Sequence, residues 1–238
     1  MKTQTFKLLK KEIFLTNSTQ TIIWLICCFG MFFIPNYPVY IGPFYITLSI
    51  YMTFALNQAS HDILYTVLLP VRKIDTVKAR FLYCGLLEIL AMLFGVIAGV
   101  IRNLANFPPS AAGTGLTIAY FGLQLIILSI FNFLFLGNVY KNPIKSGARY
   151  LFAGIMYFVC YAICELPVWI YYGTRNKISK GLSDELPFIA KIGAVISGSA
   201  DEYLLPQLGI LLAGLVIFGI SWLITFKRSA KQFERYDI

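Results

Sequence analysis

The chain has 238 residues, of which 58% are hydrophobic and only 13% are charged, about half of the charged fraction that a soluble domain carries. This composition leaves too little polar surface to cover a water-soluble globule, which excludes a soluble enzyme, a disordered tail and a secreted disulfide scaffold. The 20 Lys and Arg residues exceed the 11 Asp and Glu residues, for a net charge of +9. The composition therefore indicates an all-α membrane protein that crosses the lipid bilayer several times.

The first predicted element is a basic amphipathic helix within residues 1–17. Over residues 2–15, Phe6, Leu9 and Ile13 recur at helical spacing on one stripe, with Leu8 beside them, while the lysines lie largely on the other side. Such a helix is typical of a segment that lies on the cytoplasmic leaflet. It serves either as a simple topology anchor or as a regulatory element.

The remainder, residues 18–238, is predicted to form one transmembrane domain with six helical spans. Lipid requires these apolar runs to be helical, because their backbone polar groups must bond internally. Aromatic residues at several of their ends are typical of interfacial belts. The predicted spans cover residues 18–34, 39–56, 81–101, 116–138, 150–172 and 206–226.

The distribution of basic residues predicts the orientation of these spans. Fifteen of the 20 Lys and Arg residues precede span one, follow span six, or lie between spans two and three or spans four and five. Cytoplasmic loops carry an excess of Lys and Arg, so both termini of this cell-membrane protein are expected in the cytoplasm. The regular alternation of basic loops also argues against nucleic-acid binding as the reason for the positive charge.

The loop after span two carries the most informative pattern. From residue 61 to residue 80 it reads HDILYTVLLPVRKIDTVKAR, which is too polar to span a membrane and too patterned for a linker. Pro70 suits the first turn of a short helix, and Asp75 among basic residues would give a compact charged knob. The alternative is an ordinary positive-inside loop, which needs the basic residues but not the Leu69-Pro70 start.

The last outer loop, residues 173–205, is the longest segment outside the predicted spans. Its four basic residues are balanced by four acidic ones, and residues 186–196 are apolar enough for a short interfacial or re-entrant helix. This loop is either a lid over an exit path or a cap that faces lipid.

Two carboxylates, Glu88 in span three and Glu165 in span five, are the acidic residues expected at lipid depth. An ionisable group there usually faces a protein interior, a partner or a wet cavity. Both residues are candidates for a translocation path, where they would attract a cationic group of a substrate. The structural alternative for Glu165 is outward snorkelling, or a hydrogen bond to the backbone group that Pro167 leaves free.

The sequence lacks the residues of a nucleotide site. It contains no G-x-x-x-x-G-K-[ST] phosphate loop, so any ATP chemistry requires another chain. Its single histidine, His61, cannot provide a histidine-based metal site or a catalytic triad. We therefore expect no catalytic residue, no metal and no cofactor in this chain.

The layout resembles that of the membrane subunits, or permeases, of type-2 ABC transporters, in particular the short six-span bacterial ones. The shared features are the N-terminal amphipathic helix, six spans with both ends inside, the long last outer loop and the Leu-Pro-Val segment after span two. Members typically continue this segment with a small or polar residue, two basic residues, an acid, aliphatic residues and a basic-aromatic pair. The residues that fit are Leu69, Pro70, Val71, Lys73, Asp75, Val77, Ala79, Arg80 and Phe81. Arg72 stands where a small residue is usual, and Ile74 where a second basic residue is usual.

The resemblance implies that this segment is a cytoplasmic coupling helix, which docks on a separate ATP-binding subunit. The coupling residues it implies are Leu69, Pro70, Val71, Arg72, Lys73, Asp75 and Arg80. It also implies two permeases, identical or paralogous, with two ATPase subunits that hold ATP-Mg. The expected substrate is an amphipathic or antimicrobial peptide, a lipid or a drug. The alternative is a stand-alone secondary transporter or channel that uses Glu88 or Glu165 to carry protons or ions.

Overall fold

The computed structural model describes residues 2–16, 19–60, 71–107, 113–142, 145–179 and 186–235. All regular secondary structure within these ranges is helical. The α-helices are α1 Lys2–Lys11, α2 Thr19–Met31, α3 Ile41–Ala59, α4 Lys73–Leu104, α5 Ile118–Leu134, α6 Ser146–Ser179, α7 Phe188–Ser197 and α8 Leu204–Glu234. A π-helical turn, Glu12–Thr16, continues α1, and short 3-10 turns lie at Val139–Lys141 and Asp201–Tyr203.

Four helices of the described part are long and apolar enough to cross a membrane: α4, α5 with the 3-10 turn after it, α6, and α8 with the turn before it. A fifth span results if the N-terminal helix and α2, which are inclined at 81°, count as one broken span. Helix α3 has 19 residues but is less apolar, because it carries polar side chains that are buried towards the bundle. A helix therefore lies in each of the six predicted spans, while length and composition support four or five crossings.

The three longest helices extend beyond the predicted spans. Helices α4, α6 and α8 have 32, 34 and 31 residues, which corresponds to roughly 45–50 Å at the rise of an α-helix. The hydrocarbon core of a bilayer is only about 30 Å thick. The charged flanks of these spans contain few helix breakers, so the helices continue into them. As one consequence, α4 begins at Lys73 and joins the expected knob to span three in a single helix.

The surface of the bundle is apolar and its interior is partly polar. Helix α8 leaves large aliphatic side chains exposed, with Leu205 at 80% and Leu223 at 62%. Inside, the hydroxyl of Tyr157 donates to the carbonyl of Tyr40 at 2.6 Å and accepts from the amide of Gln124 at 3.0 Å. Lipid solvates the exposed leucines, while buried polar groups must find partners within the protein.

Helix α5 lies between α6 and α8, and it runs alongside α8 over most of its length. The two backbones approach each other closely at two glycines. A Cβ atom on Gly122 would lie 2.5 Å from the carbonyl oxygen of Ile210, and one on Gly214 would overlap with the backbone of Gly122. Small residues at such contacts let membrane helices pack backbone to backbone.

Replacement of Gly214 by alanine should push α5 and α8 apart, because the added methyl group would meet backbone atoms that cannot rotate away. Overpacking of this kind typically costs about 1–3 kcal/mol. The matched control is Gly209→Ala on the same helix, where an added Cβ would meet no atom within 4 Å. Thermal unfolding of the purified variants in detergent measures the difference. Equal melting temperatures for the two variants would contradict the close crossing.

Candidate coupling site

Residues 71–80 form the entry to α4, at the end of the bundle that carries most of the basic residues and is termed the basic end here. The side chain of Arg72 precedes the first turn, and its Nε donates to Oδ2 of Asp75 at 3.1 Å. The Arg72 side chain is 55% exposed, whereas that of Asp75 is only 9% exposed. An acid in the first turn is favourable beside the positive end of the helix dipole. Asp75 therefore holds an exposed guanidinium in a defined position.

Arg80 lies about two helical turns farther along α4 and is buried. Its Nη2 donates to Oε1 of Glu12 at 3.0 Å, and its Nε lies 2.8 Å from Oε2 of the same carboxylate. Glu12 is also buried and begins the π-helical turn. The guanidinium carbon lies 5.3 Å from the ring centroid of Phe54 in α3. A two-point ion pair of this type suits the planar fork of arginine, and here it joins the N-terminal segment to α3 and α4.

Aromatic rings extend this contact to two further segments. The ring centroid of Phe54 lies 6.1 Å from that of Tyr140 in the 3-10 turn, and Tyr140 lies 4.9 Å from Phe233 near the end of α8. All three rings are buried. Glu12, Arg80, Phe54, Tyr140 and Phe233 are termed the basic-end cluster below. Segments from both termini of the chain therefore meet around one ion pair.

The turn that follows α5 is also firmly held at the basic end. Nη1 of Arg149 donates to the carbonyls of Val139 at 3.2 Å and Asn142 at 3.0 Å. Nη2 of Arg228 in α8 donates to Oδ1 of Asn138 at 2.7 Å. These two arginines, which the charge pattern identifies only as orientation signals, therefore also bond a loop in place.

The structure divides the expected coupling residues into three groups. Leu69 and Pro70 lie outside the described residues. Exposed or partly exposed are Val71, Arg72 and Lys73. Buried are Asp75 and Arg80. Within the described part, the segment is the first turns of α4 and not a separate short helix, because nothing interrupts the helix between Lys73 and span three.

Glu12 is the residue of this site that the sequence pattern alone did not single out. It is the one acidic residue within residues 1–17, and it lies four positions after Leu8, on the same helical stripe. Leu8 is buried, whereas Phe6, expected on the apolar stripe, is 68% exposed. The buried face of the N-terminal helix is thus rotated from the expected one. A single acidic residue on this stripe is the sequence feature that could have indicated a basic partner for Glu12.

Glu88, one of the two candidate path residues, is buried in the bundle and lies close to Asn132 of α5. Within the described part, neither its carboxylate oxygens nor the amide of Asn132 forms a hydrogen bond of good geometry. The structure thus places Glu88 in the interior of the subunit and away from its lipid-facing surface.

Glu165, the other candidate, is buried in α6 and anchors the chain that leads into α5. Both of its carboxylate oxygens accept the backbone N–H of Thr114, at 3.1 and 3.0 Å. Gly113 has a φ of +147°, and a Cβ atom there would lie 2.8 Å from the carboxyl carbon of Glu165. The observed partner of Glu165 is therefore a distant loop, and the contact requires a glycine beside it.

Replacement of Arg80 by methionine should strongly destabilise the protein, because Glu12 would remain buried without its counter-charge. Breaking a buried pair in this way typically costs about 3–5 kcal/mol. Removal of both charges in Glu12→Leu/Arg80→Met should recover most of that loss. The matched control is Arg72→Met, which removes an exposed guanidinium and leaves Asp75 at the favourable N-terminal end of α4, so it should cost only about 1 kcal/mol. Thermal or SDS-induced unfolding of the purified variants measures these effects. A double variant as unstable as Arg80→Met alone would show that the pair does not hold the basic end together.

Comparison with known proteins identifies the family to which the chain belongs. A family profile described as "ABC-2 family transporter protein" matches residues 7–228, which include Glu12 and all of α2 to α7. No curated protein and no solved structure matches the chain. The matched range covers the apolar helices and most of the basic end described above. The chain is a multi-pass membrane protein and belongs to the ABC-2 family of transporter permeases.

Proposed function

We propose that this chain is the membrane-spanning permease subunit of an ATP-driven exporter, and that a separate subunit binds ATP-Mg and hydrolyses it. The family supports the role of a permease. The observation that carries the proposal is the geometry of α4, whose exposed first turn is continuous with the buried pair of Arg80 and Glu12. Such a turn is a rigid point on which a partner can push.

The first turn of α4 offers a mixed surface for docking. Arg72 is exposed and held by Asp75, while Ile74 is 37% exposed and adds an apolar side chain beside the charge. A positioned arginine next to an exposed apolar side chain fits a groove in a protein partner, because such interfaces are rich in Arg and cover apolar groups. We therefore assign the ATPase contact to residues 69–75, with Arg72 and Ile74 as its described centre.

Movement of this turn would pass directly to the rest of the basic end. Helix α4 is continuous from Lys73 to Leu104, so a displacement of Arg72 also displaces Arg80. Arg80 is bonded to Glu12 and lies against Phe54, and both of these segments would follow. Packed elements of this kind move as rigid bodies when a partner rearranges. Arg80 and Asp75 thus act in coupling from within the protein.

The transport path is proposed to lie between two permease subunits, which are either identical or paralogous. Glu88 and Glu165 are both covered by side chains of their own subunit, which favours a path at an interface over a path through one subunit. Glu165 is already bonded to the backbone of Thr114, which gives no support to this residue as the ion carrier of a secondary transporter.

A cavity of about 460 Å³ at the end opposite the basic end is the proposed release side. It is lined by polar and apolar groups alike, among them Arg102, Phe107, Tyr172, Ser199 and Gln207. This mixed lining supports an amphipathic substrate such as a peptide, a lipid or a drug. Ser199 and its neighbours Ser197 and Ala200 belong to the last outer loop and line this cavity, so we propose that the loop forms a lid. With both termini in the cytoplasm, this loop lies outside.

Reversal of the charge at Arg72 should weaken the binding of the ATPase subunit to the permease. Like charges brought together at a docked interface typically cost several kcal/mol, so Arg72→Glu should reduce the recovery of the ATPase by at least tenfold. Arg235→Glu, an equal charge change on the exposed end of α8, is the matched control and should retain the partner. The measurement is co-purification after gentle extraction from the native membrane, with substrate-stimulated ATP hydrolysis of the complex.

Two outcomes count against the proposal. Unchanged co-purification and hydrolysis with Arg72→Glu would remove the first turn of α4 from the docking surface. Absence of any ATP-hydrolysing subunit from the unmodified preparation would contradict the assignment as an ATP-driven permease.

A further inference from the structure

An apolar groove of about 670 Å³ runs along the lipid-facing side of α4 and α8. Every residue that lines it is apolar or glycine. The ring of Trp222 packs against Gly85, where an added Cβ would lie 3.2 Å away. At Gly219, an added Cβ would meet no atom within 4 Å, so the groove is open at this point. An occupant of this groove needs no hydrogen-bonding groups of its own.

A lysine lies beyond the groove on each of the two helices. On α4, Leu82 is the first lining residue and Lys78 precedes it by one helical turn on the same face. On α8, Leu223 is the last lining residue and Lys227 follows it by one turn. Gly85 packs against Trp222, whereas Phe81, one turn earlier on α4, contacts Phe226, one turn later on α8, so the two helices are antiparallel. Both lysines therefore lie at the basic end of the groove.

These lysines are exposed, and neither is paired with an acidic residue of the described part. A smaller recess of about 210 Å³ between α1 and α4 is lined by Lys78 and adjoins the groove at Leu82. From Lys78 to Ile89, the far end of the groove on α4, the helix rises roughly 16 Å. That length is about half of the 30 Å hydrocarbon core. The groove and its lysines thus have the dimensions of one lipid leaflet.

We propose that this groove is a binding site for an anionic phospholipid, with an acyl chain in the groove and the phosphate between Lys78 and Lys227. The charge of the two lysines selects the occupant, because basic side chains at the membrane surface attract anionic lipids. A second copy of the chain placed here by twofold symmetry would bring the same lysines towards each other and so fits less well. This inference goes beyond the proposed function and does not depend on it.

Tryptophan fluorescence tests the site directly. The chain has three Trp residues, and Trp24→Phe/Trp169→Phe leaves Trp222 in the groove as the sole reporter. Phospholipids brominated on the acyl chain quench a tryptophan that they touch. Each lysine should favour an anionic lipid by roughly fivefold, so the pair should favour it by about 25-fold. Brominated phosphatidylglycerol should therefore quench Trp222 at a far lower mole fraction than brominated phosphatidylcholine.

Three further variants separate the contributions. Gly219→Leu fills the groove and should abolish the preferential quenching, whereas Gly209→Leu, at an equally open position on the same helix but outside the groove, should not. Lys78→Gln/Lys227→Gln changes only exposed side chains and should equalise quenching by the two lipids. A protein with Trp169 as its only tryptophan should show no preference between the two lipids.

Equal quenching of Trp222 by the two lipids in the otherwise unmodified protein would overturn the proposal. So would a lipid preference that survives both Gly219→Leu and the double lysine variant. Absence of quenching by either lipid would show that another occupant, such as a second copy of the chain, covers the groove, and this result also overturns it.

Discussion

One buried carboxylate and one buried guanidinium hold the basic end of this bundle together. Burial of an ion costs several kcal/mol, so the pair of Glu12 and Arg80 is favourable only when both charges are present at close range. The 2.8 and 3.0 Å contacts satisfy that condition, and the ring of Phe54 adds a further contact to the guanidinium. This requirement sets the positions of the N-terminal helix, α3 and α4 relative to one another. The exposed Arg72 precedes Arg80 by about two helical turns, so its position also depends on this pair.

Outside this cluster, several buried polar side chains are hydrogen-bonded within the bundle, and the side chains on its surface are apolar. Glu165 bonds the backbone of Thr114, and Tyr157 bonds Tyr40 and Gln124, so these polar side chains stabilise loops and helix crossings. The lipid-facing side of α8, by contrast, is apolar throughout the predicted span. These side chains are bonded within the subunit, and Glu88 is buried among its helices. That property is consistent with the assignment of transport to an interface between two permeases.

Hydropathy located all the long helices, because an apolar run in lipid has no alternative to helical hydrogen bonding. It did not identify the buried face of the N-terminal helix. A helix between lipid and protein has two apolar surroundings, so apolar spacing alone cannot tell Phe6, which is exposed, from Leu8, which is buried. The sequence also did not identify contacts between residues that are far apart in the chain. The contact of Glu165 with Thr114 joins residues 51 positions apart, and it depends on packing that a single sequence does not reveal.

The rigid connection between the N-terminal helix and the start of α4 is tested most directly by a reversible cross-link. Phe6 and Lys78 line the same recess between these helices, so the two can be replaced by cysteines in a chain whose five native cysteines have been substituted. A short thiol-to-thiol cross-linker then locks the segments, and mass spectrometry quantifies the linked fraction. If the two segments move as one body, substrate-stimulated ATP hydrolysis of the complex should be the same before and after cross-linking. Loss of this activity on cross-linking, with recovery on reduction, would show that they move apart during transport.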